Sequence, residues 1–208
     1  MKPDYKNWVP RGMMIGAVCG AALLLVGTVA IAATGLIPSG MLRALLSAFL
    51  GVAFLGVSVF SIWCVSAYRA FSYQGKRKLS KKIIERLAEY VSAPDGGTIL
   101  DVGCGSGALT IACAKRNPRS TVTGLDRWGK EYASFSKQLC ENNARAEGVS
   151  NTVFVGGDAV KLDFPDGCFD AVTSNYVYHN IPGVDKQGLL LETLRVLKKG
   201  GVFRYTTS

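Results

Sequence analysis

The sequence predicts two transmembrane α-helices followed by an α/β domain built on a doubly wound, mainly parallel sheet. Three observations carry this. Residues 13–37 and 44–68 form two windows without a single Asp, Glu, Lys or Arg. From residue 98 onward, short apolar runs alternate with stretches of helical periodicity. The ends of those apolar runs carry glycines and carboxylates, where a sheet of this kind binds its ligands.

At about 1.5 Å per residue, each uncharged window would reach roughly 37 Å, enough for a hydrocarbon layer of about 30 Å with some tilt. The first window is longer than the apolar core of about 7–15 residues of a signal peptide, and a second follows at once. A helical hairpin over residues 1–75 is therefore expected as an anchor, with residues 76–208 as the soluble domain. Gly12, Gly16 and Gly20 stand four apart, a small-residue stripe that lets another helix approach. It would receive either the hairpin's own second helix or the same helix of a second copy, giving a homodimer. No ionisable side chain lies inside either window, so a proton or ion path has no residues to run through.

The formal charge of +9 belongs to the anchor and its border. Lys2, Lys6 and Arg11 precede the first window, and Lys76, Arg77, Lys78, Lys81 and Lys82 follow the second. Residues 83–208 hold 14 basic and 14 acidic side chains, so the soluble domain is neutral and a nucleic-acid partner is not indicated. Basic residues collect on the cytoplasmic side of plasma-membrane spans, which predicts both termini and the soluble domain in the cytoplasm. The 76–82 cluster also suits anionic headgroups. The six cysteines have no C-x-x-C spacing and one histidine is present, a composition that does not suggest a metal site.

Within the soluble part, Leu79, Ile83, Ile84, Leu87 and Val91 share one face of a lead-in helix. Strands are expected at Thr98–Val102, Thr121–Leu125, Thr152–Val155, Phe169–Ser174 and from Val202 to Tyr205. Helices are expected at Ala108–Arg116, Glu131–Glu147 and Leu189–Leu197, the last closed by a turn at Lys198–Gly201. Strands separated by helices of this length pair in parallel.

The carboxyl ends of the first three strands carry the chemistry. Gly103, Gly105 and Gly107 alternate in a loop where backbone approaches a ligand closely and a helix begins. Asp126 ends the second strand, 21 residues past Gly105, where an acid accepts from a ribose diol. Asp158 follows Gly156 and Gly157 after the third, in reach of a base edge. After the fourth strand come Asn175, Tyr176, Tyr178 and His179, the candidates for the acceptor side, with His179 suited to general-base work near neutral pH.

The run Ile99-Leu100-Asp101-Val102-Gly103-Cys104-Gly105-Ser106-Gly107 resembles the first motif of class I S-adenosylmethionine-dependent methyltransferases. Gly157-Asp158-Ala159, Phe164-Pro165-Asp166 before Phe169-Asp170-Ala171-Val172, and Leu194–Gly201 resemble later segments of that family, so the likeness covers about residues 79–208. It implies a Rossmann-like sheet of seven strands, of which this sequence carries the first five, and S-adenosyl-L-methionine as cofactor. The cofactor residues it implies are Asp101 and Gly103 beside the methionine portion, with Cys104, Gly105 and Gly107 completing the loop. Asp126 would hold the ribose, with Arg127 and Trp128 following it, the latter against the adenine. Gly157, Asp158 and Ala159 would contact the adenine, and Ser174 and Asn175 would lie at the end of the fourth strand. His179 and Tyr178 are the candidates for catalysis. An anchored enzyme of this kind suits a small-molecule or lipid-like methyl acceptor. Two other readings stay open. One is a tethered module that binds the cofactor without turnover. The other is a nicotinamide-dependent oxidoreductase, although Thr110 stands where that glycine pattern needs Gly or Ala.

Overall fold

The computed structural model describes residues 2–35, 37–129 and 134–206. The chain forms two compact units: Asn7–Ser80, and Met1–Lys6 together with Lys81–Ser208.

The first unit is a pair of long helices, α1 (Arg11–Ala33) and α2 (Gly40–Phe71). Both are long and apolar enough to cross a membrane by length and composition. They pack antiparallel, as the contacts of Gly20 with Val57, Gly27 with Leu50 and Gly51 with Thr28 require. In the glycine stripe only Gly20 meets the second helix, for a Cβ placed on Gly12 or Gly16 would find no atom within 4 Å. Leu23, Val26, Phe49, Val52, Val59 and Ile62 all turn more than 60% of their surface outward.

The second unit is the α/β domain. After α3 (Leu79–Ala88), five strands form one parallel sheet in the order β3-β2-β1-β4-β5. They are β1 (Thr98–Val102), β2 (Thr121–Asp126), β3 (Thr152–Gly156), β4 (Phe169–Asn175) and β5 (Leu197–Thr206). Among the described residues, the crossovers carry α4 (Ala108–Arg116), α5 (Lys137–Ala146), a 3₁₀ turn at Tyr178–Asn180 and α6 (Lys186–Arg195). β1 lies between β2 and β4, with Ile99, Leu100, Asp101 and Val102 all buried, the pattern of a central parallel strand covered on both faces. On one face Leu100, Val102, Val172, Leu189 and Val196 join a single apolar cluster with Phe169 and Tyr178. Strand order reverses between β1 and β4, so the carboxyl ends of β1, β2 and β4 frame the cleft that such sheets use.

Three element boundaries differ from expectation. The helix expected over Glu131–Glu147 begins only at Lys137, because Ser136 caps it by accepting from the Leu139 amide. The start expected for it, Glu131, lies outside the described residues. α6 begins at Lys186, ahead of its first apolar residue, because the Asp185 carboxylate accepts from the Gln187 and Gly188 amides. The turn expected at Lys198–Gly201 is a bulge inside β5 instead. Phe169 pairs with Leu197 but Ala171 pairs with Val202, so residues 198–201 swell out of the ladder, with Gly200 at φ 79° making the reversal possible.

Candidate cofactor site

The glycine loop joins β1 to α4 and all three of its glycines have positive φ: 75° at Gly103, 55° at Gly105 and 79° at Gly107. Two of them are also sterically fixed. A Cβ on Gly103 would stand 2.3 Å from Val177 Cγ2, and one on Gly107 would stand 3.1–3.2 Å from the Phe154 ring and Cys140 Cβ. Around Gly105, in contrast, the nearest atoms are on Phe135 at 4.0 Å, so the middle of the loop is the part left open to a ligand.

The loop is pinned to β2 from below. The Gly103 and Cys104 amides both donate to the Leu125 carbonyl, at 2.7 and 3.0 Å. Cys104 is buried, and burial pushes its thiol well above the usual range. The Asp126 carboxylate closes the arrangement at the strand end. One oxygen accepts from the Gly105 amide at 2.8 Å, the other from the Trp128 amide at 2.8 Å. Trp128, at φ 44°, donates its indole N–H to the Gly105 carbonyl at 3.0 Å. Two backbone donors occupy only about half the acceptor capacity of a carboxylate, so Asp126 keeps lone pairs for the hydroxyls of a ribose.

Asp101 sits beneath the loop, 1% exposed, with Thr110 Oγ1 of α4 donating to it at 2.6 Å. Burial is the main cause that raises its pKa to about 7, against the lowering effect of the Thr110 bond, and Asp126 adds to the rise. Its register neighbour on β4, Thr173, is fully buried and its hydroxyl has no partner among the described residues. A group that brings positive charge to Asp101 relieves this arrangement.

At the end of β3, the Gly157 amide donates to the Asp126 carbonyl at 3.1 Å, and a Cβ there would meet Leu125 Cδ1 at 2.7 Å. Asp158 is half-exposed, turns back on its own chain by accepting from the Val160 amide, and lies 4.0 Å from the Arg127 guanidinium. Ala159 points into the apolar cluster. On β4, the Ser174 hydroxyl is buried and donates to the Val102 carbonyl at 2.9 Å, and Asn175 Oδ1 accepts from Thr206 at 2.6 Å. Tyr178 is buried in the core, its burial raising the phenol's pKa, with its hydroxyl 2.9 Å from that of Thr193. His179 is exposed, its ring edge-to-face with Tyr176 at 5.7 Å. Tyr176 itself holds φ 58° at the end of β4.

The structure thus gathers Asp101, the glycine loop, Asp126, Arg127, Trp128, Gly157 and Asp158 at neighbouring strand ends. It puts the Tyr178 hydroxyl and Ala159 into the core. Three contributors went unread in the sequence: Val177, which dictates glycine at 103; Thr110, which partners Asp101; and Asn143, which reaches the Ser106 carbonyl at 3.0 Å. In the sequence Thr110 is legible only as a departure from the dinucleotide glycine pattern, and Asn143 as a polar residue on the apolar face that Cys140 and Ala144 share on α5.

These residues suit S-adenosylmethionine: an open glycine edge, a strand-end carboxylate with spare acceptors, and a buried acid whose charge a cationic amino group would balance. Residues 100–205 match the family model described as a methyltransferase domain. Among curated relatives, demethylmenaquinone methyltransferase of Bacillus licheniformis is 35% identical over 125 residues, 60% of this chain and 50% of that protein. Sterol 24-C-methyltransferase ERG6A of Gibberella zeae is 36% identical over 118 residues, 56% of this chain and 29% of that protein. The chain thus spans half or less of the length of these relatives. Among solved structures, a geranyl diphosphate methyltransferase in complex with S-adenosylmethionine superposes with a TM-score of 0.53 at 23% identity, covering 67% of this chain and 53% of that one, a likeness of fold. The chain belongs to the methyltransferase-domain family, of class I S-adenosylmethionine-dependent methyltransferases, with S-adenosylmethionine as its cofactor.

Proposed function

We propose that this chain is a membrane-anchored methyltransferase that transfers the methyl group to a small-molecule or lipid-like acceptor. The observation that carries the reading is the pair of long helices, outwardly apolar along their length, on a chain whose other unit is a methyltransferase domain. The hairpin leaves from Lys6 and returns at Lys81, and both residues belong to the α/β unit. A two-span hairpin has this connectivity, which supports both ends on one side of the plasma membrane, the cytoplasmic side by the basic residues flanking it. Two of the relatives are named for a demethylmenaquinone and a sterol, which supports an apolar acceptor. Gly12 and Gly16, clear of the second helix, leave room for a second copy in the membrane.

Bound S-adenosylmethionine supplies an activated methyl group on a sulfonium. In this reading the chain's task is alignment, since orientation alone accounts for roughly 7–11 kcal/mol in well-aligned systems. Gly103, Gly105 and Gly107 with the Cys104 backbone cradle the cofactor. Asp101 holds its amino end, Asp126 its ribose, and Trp128, Arg127 and the Gly157–Ala159 segment flank its base, with Ser174 and Asn175 closing the β4 side. In this reading His179, exposed after β4, takes a proton from the acceptor, and Tyr178 supports that loop from the core.

The test is transfer of labelled methyl from S-adenosylmethionine by the full chain in lipid nanodiscs, offered a lipid extract or a water-soluble extract. Label in the lipid extract, lost in Asp126→Ala and indifferent to NADH, is expected. Equal labelling of both extracts would remove the lipid-like acceptor. Cofactor binding with no labelled product in either extract would make the chain a binding module.

A further inference from the structure

Residues 3–6 precede the hairpin in sequence yet pack on the α/β unit, against α5. The contact is specific. The Asn143 side chain accepts from the Asp4 amide at 2.7 Å and donates to the Asp4 carbonyl at 2.9 Å, pairing with the backbone as a neighbouring strand would. Its amide nitrogen also donates to the Ser106 carbonyl of the glycine loop at 3.0 Å. Asn143 is 2% exposed and its bond to Ser106 is buried, while the two bonds to the exposed Asp4 are partly buried.

Tyr5 is 4% exposed and its hydroxyl donates to Glu147 at 3.2 Å. Glu147 is paired in turn with Lys115 of α4 at 2.5 Å, and Lys115 and Tyr5 hold its carboxyl below the usual range. Directly after these anchors the chain turns. Lys6 has φ 56°, a left-handed conformation that a side-chain-bearing residue adopts only at a cost. The Asp4 carboxylate holds the turn by accepting from the Lys6 amide at 3.1 Å and its ammonium at 2.6 Å.

We propose that residues 3–6 are a strap that holds the glycine loop in its cofactor-binding shape, with Asn143 as the positioning residue between strap and loop. The inference rests on the assignment of the loop to S-adenosylmethionine. Its reasoning is geometric. The loop is held from β2 through Gly103, Cys104 and Gly105; in its last peptide before α4 the Gly107 amide donates to the Cys104 carbonyl at 2.8 Å, and the Ser106 carbonyl is held by Asn143. Asn143 has one acceptor and two donor hydrogens, and the strap takes two of these three. Without the strap, the amide would turn toward water and release the Ser106 carbonyl.

The test uses the full chain in nanodiscs and two variants in residues that no strand or crossover helix of the sheet contains. Asp4→Pro removes the N–H given to Asn143, and Tyr5→Ala removes the buried anchor. Hydrogen exchange at the Gly105 and Gly107 amides should speed up about tenfold in both, while the β1 and β4 amides keep wild-type protection. The Kd for S-adenosylmethionine should rise about tenfold with little change in melting temperature, and Tyr5→Phe should fall between wild type and Tyr5→Ala. Wild-type exchange at the loop in both variants would overturn the strap, as would faster exchange spread evenly over the sheet, which would mark general stabilisation. A wild-type chain that fails to bind the cofactor would refute the assignment of the loop, and the exchange measurement would still decide the strap.

Discussion

Asp101 and Glu192 are carboxylates of the same α/β unit held in opposite ways. Asp101, under the glycine loop, is almost wholly buried with one hydroxyl partner and, among the described residues, no cation, and its pKa is raised to about 7. Glu192, on α6, accepts from the Arg195 guanidinium at 2.8 and 2.9 Å and from the Leu162 amide at 2.7 Å, and its pKa is lowered to about 2. Arg195 also donates to the Leu162 and Phe164 carbonyls and to Asp166, tying down the chain that enters β4. One region is completed by its own side chains. The other is left short of a positive charge and bent into positive φ at four of the residues from Gly103 to Trp128. Polar groups that the protein does not satisfy itself mark where the ligand is to come.

The strongest way to break this contrast is Gly103→Ala. The new Cβ meets Val177 at 2.3 Å and stands at φ 75°. A cost of about 2–4 kcal/mol is expected, from left-handed strain and overpacking together. Denaturant unfolding measures it, and cofactor binding should be lost in the same variant. Adding Val177→Ala should recover the overpacking part and leave the backbone strain, which separates the two causes.

The next test uses pH. Because the folded pKa of Asp101 is raised from 3.8, the folded state holds a proton that the unfolded chain has lost, so this group's contribution to stability falls as pH rises from about 4 to about 7. Cofactor binding should run the other way. The ionised form suits a cationic amino group, so affinity for S-adenosylmethionine should rise about tenfold from pH 6 to pH 8. Asp101→Asn should flatten both profiles, and an unchanged binding profile would remove Asp101 from the site.

The smallest effect on binding is expected on the other side of the comparison. Arg195→Ala should lower the melting temperature yet leave cofactor affinity within twofold. The lowered pKa of Glu192 contributes stability above about pH 4.5 that is lost as pH falls toward 2, so the variant should also show a weaker acid dependence in that window. A large loss of cofactor affinity would show that the two regions are not separate.

Much of this was readable in the residues. Five strands and their helices follow from runs such as Ile99–Val102 and Val153–Val155 and from the capping residues between them, since period and punctuation are local properties. Boundaries went astray where one side chain outweighed periodicity. Ser136 and Asp185 begin their helices by capping amides, and Gly200 lets four residues bulge out of β5 where a turn was expected. The glycine loop and Asp126 were recognisable as a set because their chemistry lies at successive strand ends. Val177, Thr110 and Asn143 were not. Their part depends on what they touch from 74, 9 and 37 positions away.

By itself, then, the sequence determined the apolar hairpin, the alternation that makes a parallel sheet and the positions of glycine and carboxylate at strand ends, because composition and period act along the chain. Only the tertiary structure decided why Gly103 must be glycine, that Asp101 is buried without a counter-charge among the described residues, and that Asn143 bonds both to the first residues of the chain and to the cofactor loop. Each of these arises from atoms distant in sequence sharing one volume, and steric exclusion, desolvation and hydrogen bonding all depend on that volume.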